Sequence, residues 1–127
     1  MAEDRHHEEL TAGIAAQNKI LLTQSEQAVY IYLDDTHKVC NKKFADLLGY
    51  KTPKAWADKE APLSDVIEAD QQKVVDAYMA ASEKGIAGSV DVRMKNIKTG
   101  KAIKTRMIIA PVIYEGHIFT IHYISKV

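Results

Sequence analysis

Apolar positions follow helical spacing in three stretches of the chain and form strand-like runs in five others, of which "GSVDVRMKN" alternates cleanly. Residues 8–23 place Leu10, Ile14 and Leu21 on one stripe, widened by Ile20 and Leu22, which predicts an amphipathic helix. Gly13 weakens that helix by about 1 kcal/mol relative to alanine, so it must gain stability by lying on something. "AVYIYL" (28–33) reads as a strand, Asp34-Asp35-Thr36 as a turn and "HKVC" as a second short strand. Asn41 then caps a short helix carrying Phe44, Leu47 and Leu48, and Gly49 closes it. Two prolines in "TPKAWADKEAPLSDVI" predict two short helical turns. Residues 69–84 form the clearest helix, with Val74, Val75, Tyr78, Met79 and Ser82 on one face and Gly85 at its end. Three strands close the chain: "GSVDVRMKN", "KAIKTRMIIAPVIY" and "HIFTIHYISKV", joined by turns at "KTG" and "EG".

This order predicts an α+β fold built on one antiparallel sheet with its helices gathered on one face. Both sheet faces carry apolar residues. If the outer one bears Tyr30, Tyr32, Ile108, Ile118, His122 and Ile124, it needs a cover. The N-terminal helix is the natural cover, from its own chain or from a second subunit.

The chain has 127 residues and a formal net charge of zero, which suits one domain and argues against a general nucleic-acid binder. The charge is uneven. Residues 1–35 hold seven acids against Arg5 and Lys19, and residues 89–127 hold seven bases against Asp91 and Glu115. That pattern serves solubility or a docking surface for an acidic partner. Cys40 is the one cysteine, no apolar run is long enough for a membrane span, and the acidic N-terminus is unlike a secretory signal. The expectation is a reduced, cytoplasmic protein that does not meet membranes. His6-His7 is a fragment of a metal-binding tract, but two histidines at a terminus assign no metal site.

"VYIYLDDTHKVCNKKFADLLGY" resembles the opening of a PAS domain, a sensory module of signalling proteins: strand, acidic turn, strand, Asn, then an apolar helix ending in Gly-Tyr. "NIKTGKAIKTRMIIAPVIYEG" is similar to the PAS hairpin, with its glycine turns and late proline. The resemblance covers residues 24–127. Residues 1–23 look like the flanking helix that helps such domains dimerise. It implies a five-stranded antiparallel sheet, short helices on one face and a cavity between them. The cavity would be lined by Ile31, Leu33, Val92, Met94, Thr105, Met107, Ile109, Ile121 and Tyr123 from the sheet, and by Phe44, Leu48, Val75 and Met79 from the helices. The dimer interface would use Leu10, Ile14, Leu21, Tyr30, Tyr32, Ile118 and Ile124.

The cofactor stays unknown on these residues. Flavin-binding LOV domains carry a reactive cysteine after the Gly-Tyr helix, where this chain reads "KAWADKEAPL". A covalent chromophore on Cys40 is disfavoured. Haem is disfavoured because the long helix has no histidine and His122 is expected on the outer face. No catalytic triad, paired carboxylate or phosphate loop stands out, so no enzyme activity is expected. The expected function is a PAS-type sensory and interaction module that homodimerises and binds a small ligand or a signalling partner. The alternatives are a structural dimerisation domain with a filled core, or a small α+β enzyme. The sequence stops just past the last strand, so an effector is expected in a longer protein or in a partner.

Overall fold

Two local signals shape the first half of the domain. In the computed structural model, which describes residues 2–59 and 61–127, Asn41 has extended backbone and its Oδ1 accepts from Phe44 N at 3.0 Å. The same side chain accepts from Val29 N at 3.1 Å and donates from Nδ2 to Gln27 O, so one cap residue ties a helix start to a neighbouring strand. At the other end Gly49 takes φ 83°, and its N–H donates to a carbonyl of the last turn. A Cβ there would meet Asn96 Oδ1 at 2.6 Å, so glycine is required by backbone angle and by space.

The elements in chain order are α1 (Ala2–Gln17), α2 (Lys19–Gln24), β1 (Ala28–Asp34), β2 (His37–Cys40), α3 (Lys42–Leu48), α4 (Pro53–Ala57), 3₁₀ turns at Pro62–Asp65 and Glu68–Asp70, α5 (Gln71–Lys84), β3 (Gly88–Lys95), β4 (Ala102–Tyr114) and β5 (His117–Lys126). The strands form one antiparallel sheet in the order β2-β1-β5-β4-β3. The expected fold class is therefore observed. The N-terminal helix is longer than the pattern over 8–23 suggested, and it breaks at Asn18, whose Nδ2 donates to Ile14 O at 2.9 Å.

Two apolar layers lie on opposite faces of the sheet. The inner layer packs Tyr30, Met94, Met107, Ile109 and Ile124 against Phe44, Leu48, Trp56 and Val74. The outer layer packs Val29, Ile31, Phe119 and Ile121 against Leu10 and Ile14 of α1. The cover on the outer face is thus the chain's own helix. Gly13 has a packing role here: a Cβ would overlap the Tyr114 hydroxyl and lie 3.0 Å from Cζ.

The facing of β3 and β4 agrees with the alternation, with Val92, Met94, Thr105, Met107 and Ile109 all inward and buried. The facing of β1 and β5 is the reverse of the expectation. Tyr30, Tyr32, His122 and Ile124 share the inner face, while Ile31, Leu33, Ile121 and Tyr123 sit in the outer layer. Both alternations of β1 and β5 are apolar, so hydropathy alone carried no sign for either strand.

Candidate functional site

The aromatic that follows Gly49 anchors the next segment. Tyr50 donates from its hydroxyl to both oxygens of buried Asp65, at 2.8 and 2.9 Å, and Lys59 Nζ reaches Asp65 Oδ1 at 2.9 Å. Burial, with smaller opposing effects from Lys59 and Asp65, pushes the Tyr50 hydroxyl up to about 12. Gln71 Nε2, at the start of α5, donates to Leu63 O and Val66 O, each at 3.1 Å. The stretch from Ala61 to Val66, mostly a 3₁₀ turn, is held at Leu63, Asp65 and Val66.

That stretch walls a cleft of about 270 Å³ over the inner face of β1 and β5. Its lining comes from Tyr30, Tyr32 and His122 of the sheet, Ala61, Pro62 and Leu63 of the held segment, Val74, Val75 and Tyr78 of α5, and exposed Asp35. The volume lies just under the range of about 300–1,000 Å³ usual for drug-sized ligands.

The polar groups of the cleft are few and placed. Tyr32 donates its hydroxyl to Asp35 Oδ1 at 2.6 Å, and its ring meets Tyr78 edge-on at 5.4 Å. Burial raises the Tyr32 hydroxyl pKa, and the Asp35 hydrogen bond adds to it; burial raises that of Tyr30 as well. His122 stacks on Tyr30 with centroids 4.0 Å apart and planes at 15°. Its Nε2 lies 2.8 Å from Thr120 Oγ1, and burial pushes its pKa down to about 3, so the ring is neutral. His122 Nδ1 is the one buried side-chain nitrogen or oxygen without a hydrogen-bond partner among the described residues. Which ring nitrogen carries the proton depends on the direction of the Thr120 bond, and in either tautomer Nδ1 is left without a partner.

Of the residues expected to line a pocket, Val75 does so. Val92, Met94, Met107, Ile109, Phe44 and Leu48 are packed core instead. Trp56, fully buried against Phe44 and Tyr30, fills the centre where the cavity was expected. Thr105 spends its hydroxyl on Val92 O at 2.8 Å. Met79 is exposed at 41%. Ile31, Leu33, Ile121 and Tyr123 lie on the other side of the sheet. Among the expected dimer residues, Leu10 and Ile14 are buried on their own sheet and Leu21 packs beside them, while Tyr30, Tyr32 and Ile124 face inward. Ile118 remains exposed at 46%.

His122 lines the cleft on the inner face rather than standing on the outer face, where it was expected. Burial pushes the Cys40 thiol up to about 12, which removes the thiolate a covalent attachment or a nucleophile would need.

A five-stranded antiparallel sheet in this order, with short helices and a longer one over its inner face, is the PAS fold. Solved structures carry that comparison. The chain superposes on a PAS domain from Colwellia psychrerythraea with a TM-score of 0.68 at 14% identity, covering 90% of this chain and 97% of that one. It matches a PAS domain from a two-component sensor histidine kinase with a TM-score of 0.65 at 10% identity, covering 91% and 97%. It also matches the N-terminal domain of a diguanylate cyclase with PAS/PAC sensor from Marinobacter aquaeolei, with a TM-score of 0.63 at 19% identity, covering 78% and 94%. No protein-family model matches the chain, and no curated protein does. Among the described residues, no helix is long and apolar enough to cross a membrane.

Proposed function

We propose that this chain is the sensing module of a signalling protein, and that it recognises a small, partly apolar molecule in the cleft over β1 and β5. The observation that carries this reading is the cleft of about 270 Å³ itself, walled by aromatic and apolar side chains and by His122, whose buried Nδ1 has no hydrogen-bond partner. A buried polar atom left unsatisfied costs about 1–3 kcal/mol, which a ligand hydroxyl or N–H donor would recover once a small turn of the His122 ring opens Nδ1 to the cleft. The aromatic walls favour a flat, apolar body beside that donor. Structural neighbours from a sensor histidine kinase and a diguanylate cyclase support a place in signal transduction.

The same strands would relay the event. Tyr30 and His122 face the cleft, while Ile31 and Ile121, one residue along each strand, seat α1 on the opposite face. A ligand that prefers one arrangement of β1 and β5 thereby biases the seating of α1. The role is one of recognition rather than catalysis. A homodimer would use apolar surface that α1 leaves bare on the outer face, such as Ile108 beside Tyr123, rather than Leu10 and Ile14.

Native mass spectrometry of freshly purified protein tests the reading. A small molecule retained by the wild type and lost from Val75→Trp supports it. The same mass retained by Val75→Trp contradicts it and places binding outside this cleft, and no retained mass in either protein favours a structural module with a filled core.

A further inference from the structure

Four of the chain's five histidines converge where α1 crosses two turns of the sheet. His7 comes from α1, His37 opens β2 and His117 opens β5. The His7 ring meets that of His37 at 5.4 Å and that of His117 at 5.6 Å, both edge-on, and His6 lies 5.2 Å from His117. Asp34 sits between two of them, with Oδ1 2.6 Å from His37 Nδ1 and Oδ2 3.6 Å from His7 Nδ1. Thr36 fixes that carboxylate, donating from N and Oγ1 to Asp34 Oδ1, each at 3.1 Å. His37 is buried, and its Nε2 lies 2.8 Å from Asp4 Oδ1.

We propose that His7, Asp34 and His37 bind a divalent cation of the zinc class, joining α1 to the β1–β2 turn. The ligand atoms of these three residues all lie within 4.8 Å of one another, close enough for small side-chain rotations to place them around one ion. Two imidazoles and a carboxylate are a borderline donor set that suits zinc and leaves a fourth position for water. Asp4 matches the usual outer partner of a metal-bound imidazole, holding the Nε2 proton while Nδ1 faces the ion. Binding would displace the hydrogen bond between Asp34 and His37 Nδ1, releasing any proton that nitrogen carries. His117 stands beside His7 as a neighbouring imidazole. The cation would fasten the N-terminal helix to the sheet it covers. This site is separate from the cleft and does not depend on the reading of it.

The test uses the full chain, stripped with a chelator and exchanged into chelator-free buffer. Zinc is titrated by calorimetry, and cobalt(II) is followed by its visible absorption. The expected result is one equivalent of tight binding with a tetrahedral cobalt spectrum. His7→Ala and His37→Ala should each weaken binding by about 100-fold, and Asp4→Asn by about 10-fold, as loss of an outer partner does. Asp46→Asn, on α3, should leave binding unchanged. His7 is on the helix surface, so His7→Ala remains informative if His37→Ala disturbs the turn. Binding that survives His7→Ala, or that occurs only at millimolar metal, would overturn the proposal and leave an ion-pair network.

Discussion

His122 lies flat on Tyr30, 4.0 Å between centroids, on the face of the sheet that the helices cover. The two residues are direct cross-strand partners, so the stack follows from the register of β1 with β5. It places a neutral imidazole where an aliphatic residue would pack more simply. The arrangement is the point at which the inner core stops being purely apolar, at the wall of the cleft.

Stability should carry the mark of this histidine. Burial holds the folded-state pKa near 3, against 6.5 for the free side chain. Below pH 6.5 the unfolded chain takes up a proton that the folded chain refuses. The contribution is therefore fully present above pH 6.5 and is lost as pH falls toward 3, at up to about 1.4 kcal/mol per pH unit. Urea melts of wild type and His122→Gln between pH 7 and 5 should differ in slope, with the variant shallower. Parallel slopes would mean that His122 titrates normally in the folded state.

Lys38 is buried yet points its charge at the backbone. Its Nζ donates to Ala57 O at 2.9 Å and to the carbonyls of Asp35 and Lys59, and it lies 5.4 Å from the Trp56 ring centre. It thereby fastens the end of α4 to the β1–β2 turn. Lys38→Met should cost about 1–3 kcal/mol in chemical denaturation, because three carbonyls lose their shared donor. Lys42→Met, an exposed residue paired with Asp46, should cost well under about 1 kcal/mol.

Gly13 and Tyr114 define how closely α1 approaches the hairpin of β4 and β5. Helix propensity favours Gly13→Ala by about 1 kcal/mol. The new methyl would have to displace the tyrosine hydroxyl, so the substitution should destabilise the wild type and stabilise a Tyr114→Ala background. A double-mutant cycle should show coupling of at least about 0.5 kcal/mol. Additive effects would show that the two side chains do not meet.

The sequence disclosed this fold wherever a signal was local or one-sided. Asn41 and Gly49 mark a helix by cap chemistry alone. In β3 and β4 the charged residues Asp91, Arg93, Lys104 and Arg106 mark the exposed side, so the inner set followed. The strands β1 and β5 are apolar on both alternations, and their facing was settled by packing against α1 and α5. That reversal hid Tyr30, Tyr32 and His122 from the site. Trp56 fills the centre from a segment that reads only as short turns, which moved the open space toward α5. A histidine within an apolar strand was the available clue, since a polar ring buried there needs a partner. The cluster of His7, Asp34 and His37 was less visible because α1 folds back across the sheet to build it.

The most direct measurement is a thermal-shift screen of small aromatic acids, amides and alcohols against the wild type and Val75→Trp, which narrows the cleft beside Tyr30 and His122. The account predicts one or more compounds that raise the melting temperature of the wild type and leave Val75→Trp unchanged. Compounds that stabilise both proteins equally would place recognition elsewhere and contradict it.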